Sequence, residues 1–184
     1  MTASRPRETR SDDRVAVWDA PVRVTHWLLA ALVLWDYFVD DEGGAPHRVI
    51  GYVAVGVIGA RLLWAAFATG ANGFASLRPS LRRTRDFLRA GAPRSTRHDP
   101  LGIWMIWLLW SLVLALGVTG WMTRLDAFWG DETLHDVHAW LAHALVAAVA
   151  AHIGGVAAMS RRWRENLVLA MINGRKRASE TVSD

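Results

Sequence analysis

The chain has 184 residues, 52% of them hydrophobic and 11 of them Trp, yet it carries 21 Lys and Arg against 17 Asp and Glu, a net charge of +4. A strongly apolar body with this many cations fits an integral membrane protein better than a soluble domain, and because the cations flank apolar segments instead of forming one basic domain, nucleic acid is not expected as a partner. The lack of any Cys excludes disulfides, thiolate metal sites, iron-sulfur clusters and covalent c-type haem attachment, which leaves histidine as the strong metal ligand.

Residues 1–14 are polar and charged with no apolar h-region or small-residue cleavage site, so they read as a disordered cytoplasmic tail and not as a removable signal peptide. Four apolar segments follow, Val22 to Val39, Val49 to Ala68, Leu101 to Met122 and Val137 to Met159, each close to the roughly twenty residues needed to cross a hydrocarbon core. The first holds Asp36 near one end, the second holds Arg61, and the last two are uninterrupted. Between the second and third, the Arg-rich loop from Thr69 to Pro100 contains Leu77, Leu81, Phe87 and Leu88. It forms either a short interfacial amphipathic helix or a solvated basic loop that sets topology. Trp18, Trp64, Trp104, Trp121, Trp129 and Trp163 fall near the ends of the segments, where an aromatic belt would place them. Residues 178–184 read as a second disordered tail.

Charge assigns orientation. Every Lys and Arg except Arg48, Arg61 and Arg124 lies in the N-terminal region up to Arg23 at the start of the first segment, the loop between the second and third segments, or the C-terminal tail. The other side gathers Asp36, Asp40, Asp41, Glu42, Asp126, Asp131, Glu132 and Asp136. The positive-inside rule then puts both termini in the cytoplasm. The expected fold is all-α, an integral membrane four-helix bundle with four transmembrane helices, occupying residues 15–177.

Orientation converts histidine positions into depths. His138 and His152 are fourteen residues apart in a stretch with no Asp, Glu, Lys or Arg. On an α-helix that spacing returns the second imidazole to within about 40° of the first, roughly 21 Å further along the axis. His26 lies near the cytoplasmic start of the first segment, level with His152, and His47 begins the second segment, level with His138. Two pairs result, each offering imidazole nitrogens from separate helices, as axial ligation of a haem b iron requires. His26 and His152 would hold a cytoplasmic-side iron, and His47 and His138 a periplasmic-side one. Gly51, one turn after His47, and Gly154 and Gly155 beside His152 allow close approach by a flat macrocycle or serve ordinary helix packing. Arg61, fourteen residues after His47, either neutralises a haem propionate or snorkels to the headgroups. His135, one turn before His138, competes with it as the periplasmic ligand; His143 is read as a helix-contact or hydrogen-bonding residue, and His98 as an interfacial or capping one.

These residues resemble a family. Val17-Trp18-Asp19 followed by Arg23-x-x-His26-Trp27, His47-Arg48-x-x-Gly51-Tyr52 leading to Arg61-Leu62-x-Trp64, Asp99-Pro100-Leu101-Gly102, the spacing of His138 and His152, and Arg164-Glu165-Asn166-Leu167 with Asn173-Gly174-Arg175-Lys176 are similar to the bacterial cytochrome b561 group. That group includes the cytochrome b subunits of membrane-bound nickel-iron hydrogenases. The segment Arg97-His98-Asp99-Pro100 departs from the group's frequent Gly-His-Asn-Pro, and His135 and His143 are extra. The resemblance implies two bis-histidine haems b held by His26, His47, His138 and His152. It also implies a multi-pass protein of the bacterial cytoplasmic (inner) membrane that passes single electrons between the quinone pool, ubiquinone or menaquinone, and a redox partner such as a c-type cytochrome, a dehydrogenase or a hydrogenase subunit. Two other readings stay open. One is a superoxide:quinone oxidoreductase, with Arg48 and Arg124 guiding the anion against the nearby carboxylates. The other is a non-haem metal protein or ion-coupled transporter, using for example His135-x-x-His138.

Overall fold

The computed structural model describes residues 14–39, 43–95 and 99–177. Among them the chain is almost wholly helical. A short strand β1 (Arg14–Ala16) leads into α1 (Ala20–Phe38) and α2 (Ala45–Phe67), followed by two 3₁₀ turns and the short α3 (Leu81–Arg89). Then come α4 (Pro100–Met122), the long α5 (Glu132–Trp163), α6 (Leu167–Asn173) and a closing strand β2 (Arg175–Arg177).

The helix starts are written locally. Asp19, Asp99 and Asp131 cap α1, α4 and α5 by accepting the N–H of Val22, Gly102 and Leu134 at 3.0, 2.8 and 3.1 Å, and proline occupies the first turn of α1, α2 and α4. A capping carboxylate satisfies a donor that no preceding turn can reach, and proline lacks the donor altogether.

The expectation of four transmembrane helices is corrected by this structure. Among the described residues three helices are long and apolar enough to cross a membrane: α2, α4 and α5. Helix α1 is not among them, because its 19 residues include Arg23, His26, Asp36 and Tyr37, whose polarity offsets its central run of leucine and alanine. With three such helices the even count that supported two cytoplasmic termini is lost. The two described ends of the chain do meet, since β1 pairs antiparallel with β2. Residues 1–13 and 178–184, with Arg5, Arg7 and Arg10, lie outside the described residues, as do Asp40, Asp41, Glu42, Arg97 and His98.

Packing runs in series: α1 against α2, α2 against α4, and α4 against α5. Helix α5 meets α1 and α2 through side chains, among them Tyr37 with His143, His26 with His152 and His47 with His138. At mid-height an apolar layer of Ala54, Ile58, Val113 and Leu145 closes the interior, flanked by Leu29, Leu32 and Val33 of α1. Leucine, valine and isoleucine also cover the outside, with Leu34, Leu63, Val118 and Ile153 exposed, as a lipid-facing surface requires. Glycine permits the closest approach in the series: a Cβ on Gly117 of α4 would overlap Val55 Cγ2 of α2.

The end of the bundle that carries the strands is a polar clasp. Gly174, at φ +76°, ends α6 and offers its carbonyl to the N–H groups of Val17 and Trp18 at 2.8 and 3.2 Å. A side chain here would meet both the strained φ and the Trp18 carbonyl. Glu165 is buried and accepts from Arg94 Nε at 3.1 Å and from the Arg177 backbone N–H at 2.8 Å. Trp163, expected in the aromatic belt, is buried in this clasp, where its Nε1–H donates to the Ala92 carbonyl at 3.2 Å. The loop does form a short helix, with Leu81 and Leu88 exposed beside Arg82, Arg83, Arg85 and Arg89, whereas Leu77 precedes it and is buried.

Candidate functional site: two imidazole pairs

The interval between α5 and the first two helices is bridged at two levels by histidine. His26 of α1 faces His152 of α5 with ring centres 6.3 Å apart, and His47 of α2 faces His138 of α5 at 6.0 Å. The fourteen-residue step along α5 separates the levels by about 21 Å. Leu145 lies seven residues from each α5 histidine, so the apolar layer falls between the two pairs.

Such a spacing is unsuited to a direct hydrogen bond between rings and suited to a shared metal. Two metal–imidazole bonds of about 2 Å, each continued by about 1 Å to the ring centre, place the centres about 6 Å apart. The donor set of two neutral nitrogens per level is that of a six-coordinate haem iron.

Atoms around the rings bear on the fit. At the level of His47 and His138, both Nδ1 atoms face a second group. His138 Nδ1 lies 2.7 Å from Thr119 Oγ1 of α4, and His47 Nδ1 lies 3.1 Å from Asp36 Oδ1 at the end of α1, close but not aligned as a hydrogen bond. Both Nε2 atoms are thereby left for a metal, the division of labour usual in ligating histidines. Gly120 makes the cradle for the His138 ring: a Cβ there would stand 3.2 Å from its Cε1. Beside His47, a Cβ on Gly51 would meet nothing within 4 Å, and the same holds at Gly154 and Gly155 beside His152. At the other level, His26 Nδ1 is buried with no hydrogen-bond partner among the described residues.

Arg61 points inward. It is 6% exposed, its Nη2 donates to the Asn72 carbonyl at 3.4 Å, and its Nη1 is buried without a partner among the described residues. A guanidinium held this way is not snorkelling to headgroups, and it keeps a donor free for an anionic oxygen.

His135 and His143, the other described histidines, belong to neither pair. His135 is exposed and its Nδ1 sits 2.9 Å from the Asp131 carbonyl on its own helix. His143 Nδ1 is 2.8 Å from the Tyr37 hydroxyl, with the Trp140 ring beside it. Among the described residues no group of three or more His, Asp or Glu side chains is arranged to hold a metal ion by itself. Thr119, Gly120 and Tyr37 carry no signal in the sequence that marks them, because a hydroxyl or a glycine in an apolar helix is ordinary there. Asp36 was visible only as a charge near a segment end.

No curated protein and no solved structure matches the chain. A family model for prokaryotic cytochrome b561 matches residues 17–174, which include all four paired histidines and most of the chain. The chain belongs to the prokaryotic cytochrome b561 family, membrane proteins that transfer electrons on haem b.

Proposed function

We propose that His26 with His152, and His47 with His138, are the axial ligands of two haem b groups, and that the protein passes single electrons through the bacterial inner membrane between a quinone and a redox partner protein. The observation that carries this reading is the repeated ring-centre distance of 6.3 and 6.0 Å at two levels of one helix. Haem b supplies a reversible one-electron couple; the chain supplies position, insulation and charge. Four imidazoles mark two sites along α5, and the apolar layer around Leu145 fills the interval between them. The free Nη1 of Arg61 supplies a cation for a propionate carboxylate. Side chains here break no bonds, so the protein works as a carrier between donor and acceptor.

Purified full-length protein tests this in two measurements. A pyridine haemochrome assay against protein concentration is expected to give two haems b per chain, and a soluble quinol analogue is expected to reduce both. One haem per chain, or none, would overturn the double-site reading. Reduction by superoxide but not by quinol would assign the oxidoreductase activity instead.

A further inference from the structure

Thr119 sits in the last turn of α4, a helix that bears none of the four paired histidines, with its hydroxyl at a junction of three groups. Its Oγ1 lies 2.9 Å from the Ala115 carbonyl, 3.2 Å from the Leu116 carbonyl and 2.7 Å from His138 Nδ1. A hydroxyl has one proton, and carbonyls only accept. Donation to a carbonyl of the preceding turn, the common habit of threonine inside a helix, leaves the oxygen as an acceptor toward His138. The His138 tautomer that matches this arrangement carries its proton on Nδ1 and presents a lone pair on Nε2.

We propose that Thr119 is a positioning residue for His138, fixing the imidazole in the tautomer whose Nε2 can bind a metal and holding the ring toward His47. The adjacent Gly120 completes the arrangement by leaving room for the ring edge, where a Cβ would approach Cε1 to 3.2 Å. Two consecutive residues of α4 thus dictate both the rotation and the protonation of a ligand on α5. An Nδ1–H donated to oxygen also makes the imidazole more electron-rich, which favours the ferric form over the ferrous. Nothing equivalent serves the other level, where His26 Nδ1 has no hydrogen-bond partner among the described residues. The influence of Thr119 is accordingly confined to one haem.

This inference rests on His138 being a ligand, and the experiment separates the two claims. The readout is a potentiometric titration of the haem-loaded full chain, followed by its α-band absorption, with low-spin ferric EPR on the same samples. Thr119→Val, which keeps shape and removes the hydroxyl, is expected to raise the midpoint potential of one haem and leave the other in place. A tenfold weakening of the ferric preference corresponds to about 59 mV for one electron. Thr119→Ala, which removes the hydroxyl without adding a methyl in its place, is expected to show the same shift, and Thr119→Ser to restore the original potential and EPR signal. Unchanged potentials in both Val and Ala variants, or a Ser variant that behaves like Val, would overturn the proposal. His138→Ala is the control on the underlying reading: retention of both haems there refutes ligation by His138 whatever the Thr119 variants do, and loss of one haem upholds it.

Discussion

His47 and His138 hold their rings 6.0 Å apart on two different helices, while His135, one turn from His138, is exposed and turns its Nδ1 to the Asp131 carbonyl at 2.9 Å. Only one of the two candidates on α5 therefore addresses α2. His138→Ala is expected to halve the haem content, and His135→Ala to leave it unchanged within error. Haem-to-protein ratios of the two purified variants decide this, and equal loss in both would mean that the ligand of this level is shared or misassigned.

Asp36 brings a carboxylate to 3.1 Å from the Nδ1 of His47. Negative charge on the far side of a ligating imidazole strengthens its donation and stabilises ferric iron, an outer-shell effect that alters metal affinity by about 10- to 100-fold. Asp36→Asn keeps the shape and removes the charge. It is expected to raise the potential of the haem at this level by about 59 mV for each tenfold change in the ferric-to-ferrous preference. The second haem acts as the internal reference in the same titration.

Residue counts along a helix report depth and face, and depth under the orientation assigned from the arginines groups His26 with His152 and His47 with His138, the same residues whose rings approach in the folded chain. Counts report nothing about neighbours on another helix. Thr119 and Asp36 act across helix boundaries, and their partners depend on crossing geometry that no periodicity encodes. The number of spanning helices was misread for a different reason. Arg23 and Asp36 sit near the two ends of α1 and frame a run of leucine and alanine that reads as a span, yet among the described residues α2, α4 and α5 alone have the length and apolarity to cross. Trp163 is a similar case: its position near the end of α5 suggested an interface, whereas its indole is buried beneath the Ala92 carbonyl of a loop 71 residues away in sequence.

Gly117 allows α4 to lie against Val55 of α2, and a Cβ there would overlap Val55 Cγ2. Valine in a helix has one strongly preferred rotamer, so the methyl group cannot simply swing away. Gly117→Ala is expected to destabilise the protein by about 1–3 kcal/mol through overpacking. Val55→Ala removes the clashing methyl and is expected to recover most of that loss in the double variant, a coupling that thermal unfolding of the two single variants and the pair would measure.

Lys176 gives the clasp a pH dependence whose sign follows from its burial. The side chain is 6% exposed, with Nζ 3.3 Å from the Ser95 carbonyl and 5.6 Å from the Trp18 ring centre. Burial lowers its pKa from the ordinary 10.5, with Glu165 and Asp99 pulling it back up and Arg94 adding to the fall. Between the lowered folded value and 10.5 the unfolded chain binds more protons than the folded one. Stability therefore rises with pH across that window and levels off above it. Lys176→Met, which keeps the apolar stem over Trp18 and removes the titrating group, is expected to flatten the rise. Thermal unfolding of both proteins from neutral pH to pH 11 reads the difference directly, and an identical slope in the two would show that Lys176 keeps its ordinary pKa in the folded clasp.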